Sequence, residues 1–233
     1  MFGYCGESAA DVQALYVSLK SACANDPTLA AVAPNCSQHC HGWGYVILAA
    51  NGLFHYRTAR PIYEDEVTLP PLQGPVRAIF HGRYASDPGL AGAIFSHPFM
   101  AANHTEVLFL AHNGGVSAEP VRDRVVDSEW LLEEITRAGG LVPALPRLKE
   151  RTKSALNLLL LTIGRGPGTP AALQYFHYFK ATEPAKAGYY NMFTGALPGG
   201  RVVMSSTLTL AAARAPGLEQ IQPAAFEALR ILG

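Results

Sequence analysis

The run Ala155–Gly164, ALNLLLLTIG, constrains the fold more than any other part of the chain. Leucine or isoleucine occupies both alternating sets of positions, 156, 158 and 160 on one and 159, 161 and 163 on the other. A strand with one wet face alternates polar and apolar residues, so a strand of this kind needs cover on both faces. WGYVILAANG (43–52), PVRAIFHGRYA (75–85) and TEVLFLAHNGG (105–115) read as further strands. LFHYRTA continues from the first of these through Asn51-Gly52, a strong short hairpin signal. LQYFHYFK, YYNMFTG and RVVMSST are strand-like in the last third.

Helices fall between these groups. Ser8 is a candidate N-cap with Asp11 three residues on, followed by Val12, Leu15, Tyr16, Leu19, Ala22 and Cys23 at helical spacing. Asp127 and Ser128 precede EWLLEEITRAGG, which Gly139 and Gly140 stop. A further helix is expected over Leu145–Arg151 and a short one over Pro223–Leu229. The pattern predicts an α+β chain: a four-layer αββα sandwich of two mainly antiparallel sheets, forming a single domain over residues 1–233.

Composition narrows the partners. Eighteen basic residues balance eighteen acidic ones, which removes the simplest argument for nucleic acid or an anionic membrane surface. No apolar run approaches the ~20 residues of a membrane-spanning helix, and no secretion signal is apparent, so a cytoplasmic protein is expected. All four cysteines lie in the first forty residues, at 5, 23, 36 and 40, which is not a disulfide framework, though one bridge involving Cys23 or Cys36 stays open. Cys36, His39, Cys40 and His41 are dense enough for a metal hydrolase to be considered, but the spacing is not a standard zinc pattern. No metal or other cofactor is expected.

Polar residues concentrate at predicted strand ends, in HCHGWG (39–44), HGRYAS (81–86), SHPF (96–99) and AHNGG (111–115), while VDSE (126–129) opens a helix. A guanidinium such as Arg83, just past a buried strand, suits a two-pronged grip on a carboxylate. Taken singly, Asp127 reads as a helix cap, His97 and His112 as structural histidines, and Asn113-Gly114 as a turn.

Their order is more informative: arginine after a strand, His-Pro, His-Asn-Gly after the next strand, then Asp-Ser-Glu at a helix. This order resembles the class II glutamine amidotransferase domain of the N-terminal nucleophile hydrolases, in particular small stand-alone members whose chains begin Met-Cys-Arg and soon reach Phe-Gly-Tyr. The likeness runs from Phe2 to about Trp130 and more weakly through RVVMSS near 205. It implies the fold of those hydrolases and hydrolysis of the side-chain amide of glutamine, or of a γ-glutamyl amide, by an N-terminal cysteine whose α-amine acts as base. It further implies that Arg83 holds the substrate carboxylate, Asp127 the substrate ammonium, and Asn113 and Gly114 the oxyanion. Ser86 and His97 would line the pocket, and Trp43 and Gly44 would pack beside the nucleophile. The partners implied are a small-molecule substrate and a separate acceptor for ammonia.

The sequence departs from that family at its start, Met1-Phe2-Gly3-Tyr4, where no nucleophile stands. Three readings account for this. The family opening, Met-Cys-Arg and one apolar residue before Phe-Gly-Tyr, fits if Met1 is that apolar residue and the cysteine lies upstream. Alternatively the chain binds a glutamine-like compound, or acts as a scaffold, without hydrolysing it. In the third, the first four residues are removed and Cys5 becomes the nucleophile.

Overall fold

The structure, a computed structural model, describes residues 1–117, 126–166 and 168–233. Among the described residues, twelve strands form two sheets in which every named pairing is antiparallel. The first contains β1 (Phe2–Gly6), β2 (Trp43–Ala49), β3 (Gly52–Thr58), β4 (Val76–Gly82), β9 (Met192–Leu197), β10 (Gly200–Ser205) and β11 (Glu219–Pro223), in the order β11-β9-β10-β1-β4-β2-β3. The second contains β5 (Phe99–Ala102), β6 (Glu106–Val116), β7 (Thr152–Gly164), β8 (Ala171–Phe176) and β12 (Leu229–Leu232), in the order β12-β8-β7-β6-β5.

Three apolar layers hold these sheets together. Helix α1 (Ala9–Ala24) lays Val12, Leu15 and Leu19 on the outer face of the first sheet, against Phe2, Tyr4, Trp43 and Phe80. Helices α2 (Asp127–Arg137) and α3 (Leu141–Arg151) cover the second sheet, where Trp130, Leu131, Ile135 and Leu148 meet Leu108, Leu110, Leu156 and Leu158. Between the sheets lie Val46, Ile79, Phe109, Leu159, Leu161 and Val203. The doubly apolar character of 155–164 is thereby explained: Leu156, Leu158 and Leu160 face the helices, and Leu159 and Leu161 face the other sheet. This is the αββα sandwich expected from the sequence.

Local expectations fared unevenly. Ser8 caps α1, its Oγ accepting from the Asp11 amide at 3.1 Å. The hairpin forms, but the register Ala49↔Gly52 puts its two-residue loop at Ala50-Asn51, one residue earlier than Asn51-Gly52. The helix expected at Leu145 begins at Leu141. Tyr189 and Tyr190, read as strand, end the short helix α4 (Pro184–Tyr190). The helix expected over Pro223–Leu229 is absent: β11 ends at Pro223, and β12 begins at Leu229 and pairs with β8, Leu232 opposite Leu173. Open pairing partners on β9 and β8 outweigh weak local propensity there. Residues 2–6 were not read as a strand, yet β1 is central, hydrogen-bonded to β10 on one side and β4 on the other.

Candidate active site

At one end of the sandwich a cavity of about 270 Å³ opens between the sheets. Strand geometry determines what reaches it. Side chains alternate across β6, so Phe109 and Ala111 enter the layer between the sheets and Asn113 follows them on that side. Asn113 lines the cavity, and its side-chain amide has no hydrogen-bond partner within the protein among the described residues. Next to it, Gly114 sits at φ 144°, and a Cβ there would run into the Ala155 carbonyl. The β6–β7 register slips between Gly114 and Val116, the kind of bulge that re-aims backbone beside a site.

Arg83, one residue beyond β4, is buried at 8% exposure and donates through Nη1 to the Leu90 carbonyl at 2.7 Å. Burial lowers its pKa, and the Asp127 carboxylate acts in the opposite sense. Asp127 is the first residue of α2, whose N-cap is Val126, so it is not the cap that its residue type suggests. Its Oδ2 accepts from the Val116 amide at 3.0 Å and its Oδ1 from the Ser128 hydroxyl at 3.2 Å, tying the end of β6 to the start of α2. Both residues line the cavity, as do Ser86 and His97.

Met1 supplies the floor. Its α-ammonium donates to Ser205 Oγ at 3.0 Å, and its carbonyl accepts from the Ser205 amide at 3.0 Å. Burial lowers the amine's pKa, with Cys23 and Asp26 opposing.

His81 and His97 meet there with ring centroids 4.3 Å apart. Among the described residues, Nδ1 of His81 and both nitrogens of His97 lack a protein partner. Both are held far below the usual histidine pKa, by burial first and then by neighbouring charge. His112 is satisfied inside the protein, with Nδ1 3.0 Å from Ser128 Oγ and Nε2 3.2 Å from the Ala155 carbonyl. That carbonyl can only accept, so Nε2 carries the proton, and in the neutral ring Nδ1 shares the single Ser128 hydroxyl hydrogen with Asp127 Oδ1.

Two expected site residues lie elsewhere. Trp43 packs in the layer under α1, donating Nε1–H to Asp65 at 2.9 Å, and does not line the cavity. Gly44 does not line it either, but its backbone passes so close to the carbonyls of Tyr56 and His97 that a side chain would displace them. Cys5 sits inside β1 opposite Arg77 and Arg201. Four residues along a strand place it about 13 Å from Met1, and removal of residues 1–4 would take the fully buried Phe2 and Tyr4 out of the core.

The cysteine and histidine cluster disperses as well. His39 bonds Asp26 at 2.9 Å, Cys36 Sγ lies 3.3 Å from the Tyr84 hydroxyl, and His41 Nδ1 accepts from the Ala85 amide at 2.8 Å. No group of three or more potential metal ligands converges among the described residues, and all four cysteines are free thiols. The sequence reading missed Asp26, Thr207, Tyr189 and Ser205, which also line the cavity. Asp26 looked like the end of a helix, and only the folded chain brings Thr207 to it at 2.8 Å.

Neither a protein-family model nor a curated protein matches this sequence. Among solved structures, the fold is similar to glutamine phosphoribosylpyrophosphate (PRPP) amidotransferase from B. subtilis complexed with ADP and GMP. The TM-score is 0.62 at 19% identity, over 99% of this chain and 46% of that one. A structure described as the allosteric regulatory enzyme of purine biosynthesis gives the same values. This chain therefore spans less than half the length of either. A crystal structure of a predicted glutamine amidotransferase from Pseudomonas aeruginosa PA01 superposes with a TM-score of 0.46 at 16% identity, over 99% of this chain and 92% of that one. The architecture is the N-terminal nucleophile hydrolase fold.

Proposed function

We propose that the cavity binds glutamine or a γ-glutamyl compound and cleaves its side-chain amide, in the manner of a class II glutamine amidotransferase, with a cysteine that precedes Met1 as nucleophile. The observation that carries this reading is convergence. Arg83 from the end of β4, Asp127 from α2, Asn113 and Gly114 from β6, and the head of β1 all border one cavity.

Each contributes a distinct interaction. A guanidinium takes a carboxylate with two parallel hydrogen bonds, and Arg83 is already oriented by the Leu90 carbonyl. On the wall of the same cavity, Asp127 offers negative charge to an α-ammonium. The Asn113 amide and the Gly114 N–H are two neutral donors for an oxygen that becomes negative, and such donors act most strongly where water is excluded. β4 continues the register Phe2↔Phe80 and Gly3↔Ile79, so the residue before Met1 would lie beside Gly82 and the one before that beside Arg83. A cysteine there stands within the cavity, and its free α-amine would take the thiol proton. The ammonia or amine released passes to a separate acceptor or to solvent.

The test compares the chain extended by Cys-Arg ahead of Met1 with the same chain carrying alanine in place of that cysteine. Ammonia release from glutamine and amine release from γ-glutamyl amides are measured, together with the intact mass after exposure to an electrophilic glutamine analogue. Turnover and a single adduct, both lost with alanine, are expected. Binding of glutamine without turnover or adduct would instead favour a glutamine-binding protein, and absence of binding would overturn the reading.

A further inference from the structure

Four histidines line the cavity, and they are not equivalent. His112 uses both ring nitrogens inside the protein. Among the described residues, His81 and His97 have no carboxylate within hydrogen-bonding distance, and burial beside other cationic groups holds both well below the usual histidine pKa. His39 differs. Its Nε2 lies 2.9 Å from Oδ2 of Asp26, while Nδ1 has no protein partner among the described residues.

Asp26 is built to remain charged. It is fully buried, and its Oδ1 accepts from the Thr28 amide at 2.9 Å and the Thr28 hydroxyl at 2.6 Å. Its Oδ2 accepts from His39 and from Thr207 at 2.8 Å. Burial raises the affinity of Asp26 for a proton, but the bonds from His39, Thr28 and Thr207 outweigh it and lower the pKa to about 2. A fixed carboxylate on one imidazole nitrogen orients the ring and leaves the other nitrogen to exchange protons. His81 from β4 acts electrostatically on the ring, and Cys23 from α1 and Tyr189 from α4 are further ionisable groups lining the same cavity.

We propose that His39, held by Asp26, is the general acid that protonates the departing nitrogen during amide cleavage in this cavity. The inference rests on the reading given under Proposed function. When the tetrahedral intermediate collapses, the oxyanion re-forms the carbonyl and the carbon–nitrogen bond breaks. The electron pair of that bond takes the proton from Nδ1 of the His39 imidazolium. The products are a thioester, a free amine or ammonia, and a neutral His39 still donating Nε2–H to Asp26. The α-amine, which holds the thiol proton after attack, then passes that proton to neutral His39 and is itself free again, so the half-reaction conserves protons.

The experiment uses the chain carrying Cys-Arg ahead of Met1 and compares a γ-glutamyl alkylamide with a γ-glutamyl p-nitrophenyl ester, whose leaving group departs without a proton. His39→Gln retains an N–H to offer Asp26. General acid catalysis contributes ~10²–10⁴-fold, so kcat/KM for the amide falls by about that factor. For the ester it stays within about twofold, because kcat/KM reports acylation and that step then needs no acid. His39→Asn serves as the second variant, with the same contrast expected, and thermal melts verify that both fold. An equal loss on both substrates, or no loss on the amide, overturns the role of His39 while leaving the parent activity, and so the site reading, standing. If the parent cleaves neither substrate, the site reading fails and this inference falls with it.

Discussion

His112 and Asn113 are neighbours on β6 that serve opposite sides of its sheet. Both border the cavity, but His112 spends its ring nitrogens on Ser128 at the start of α2 and on the Ala155 carbonyl, whereas the Asn113 amide has no protein partner among the described residues. The two-residue period of a strand enforces this division. It assigns the histidine to the framework and the amide to the site. In the chain carrying the nucleophile, Asn113→Ala should lower kcat by ~10²–10³, the usual effect of removing one oxyanion donor, with KM little changed. Steady-state kinetics on a γ-glutamyl amide check this, and unchanged kcat would remove Asn113 from the site.

Arg83→Lys replaces a planar fork with a point charge and also loses the contact that orients Arg83 on the Leu90 carbonyl. Glutamine binding should weaken by ~10–100-fold, consistent with losing one charge-assisted hydrogen bond. Calorimetry reads this directly, and equal affinity would contradict the carboxylate grip.

For Asp127→Asn the fold should survive, because the asparagine carbonyl oxygen can still accept from the Val116 amide. Stability is expected to change by no more than about 0.5 kcal/mol, while binding of an α-ammonium compound weakens by about tenfold or more. A drop in unfolding free energy with unaltered binding would show that Asp127 acts only as a structural tie.

Gly114→Ala should destabilise the protein by about 2 kcal/mol or more, because φ 144° is costly for any other residue and the new Cβ overlaps the Ala155 carbonyl. Urea unfolding measures it. A neutral result would mean that the β6–β7 bulge adjusts freely.

Thr207→Val removes one of the bonds that keep Asp26 ionised. A carboxylate whose folded pKa is about 2 rather than 3.8 stabilises the fold above pH 3.8, and that contribution disappears as the pH falls toward 2. The variant should therefore be less stable at neutral pH by about 1 kcal/mol. Its acid-unfolding midpoint should move to higher pH. Acid titrations followed by circular dichroism test both, and an unmoved midpoint would show that Thr207 does not hold Asp26 in its charged form.

The sequence by itself determined the layers. A strand apolar on both alternating sets must be covered twice, so Leu156 to Ile163 dictated stacked sheets with helices outside, and Ser8 and Gly139 marked helix ends by local chemistry alone. The order of Arg83, His97, Asn113 and Asp127 was legible for the same reason, since each ends or begins an element whose periodicity is plain. Tertiary structure decided which of them meet and which residues join them. Asp26 reads as a helix terminus until residue 207, a distance of 181 positions, is brought to it. Trp43 and Gly44 read as site residues until pairing with β3 and β4 places them in or beneath the sheet. β1 and β12 read as loop or helix because short strands carry little local signal, and their energy comes from partners remote in sequence. Local periodicity records which side of an element must be dry, but a site is made from the polar ends of elements that share no local code.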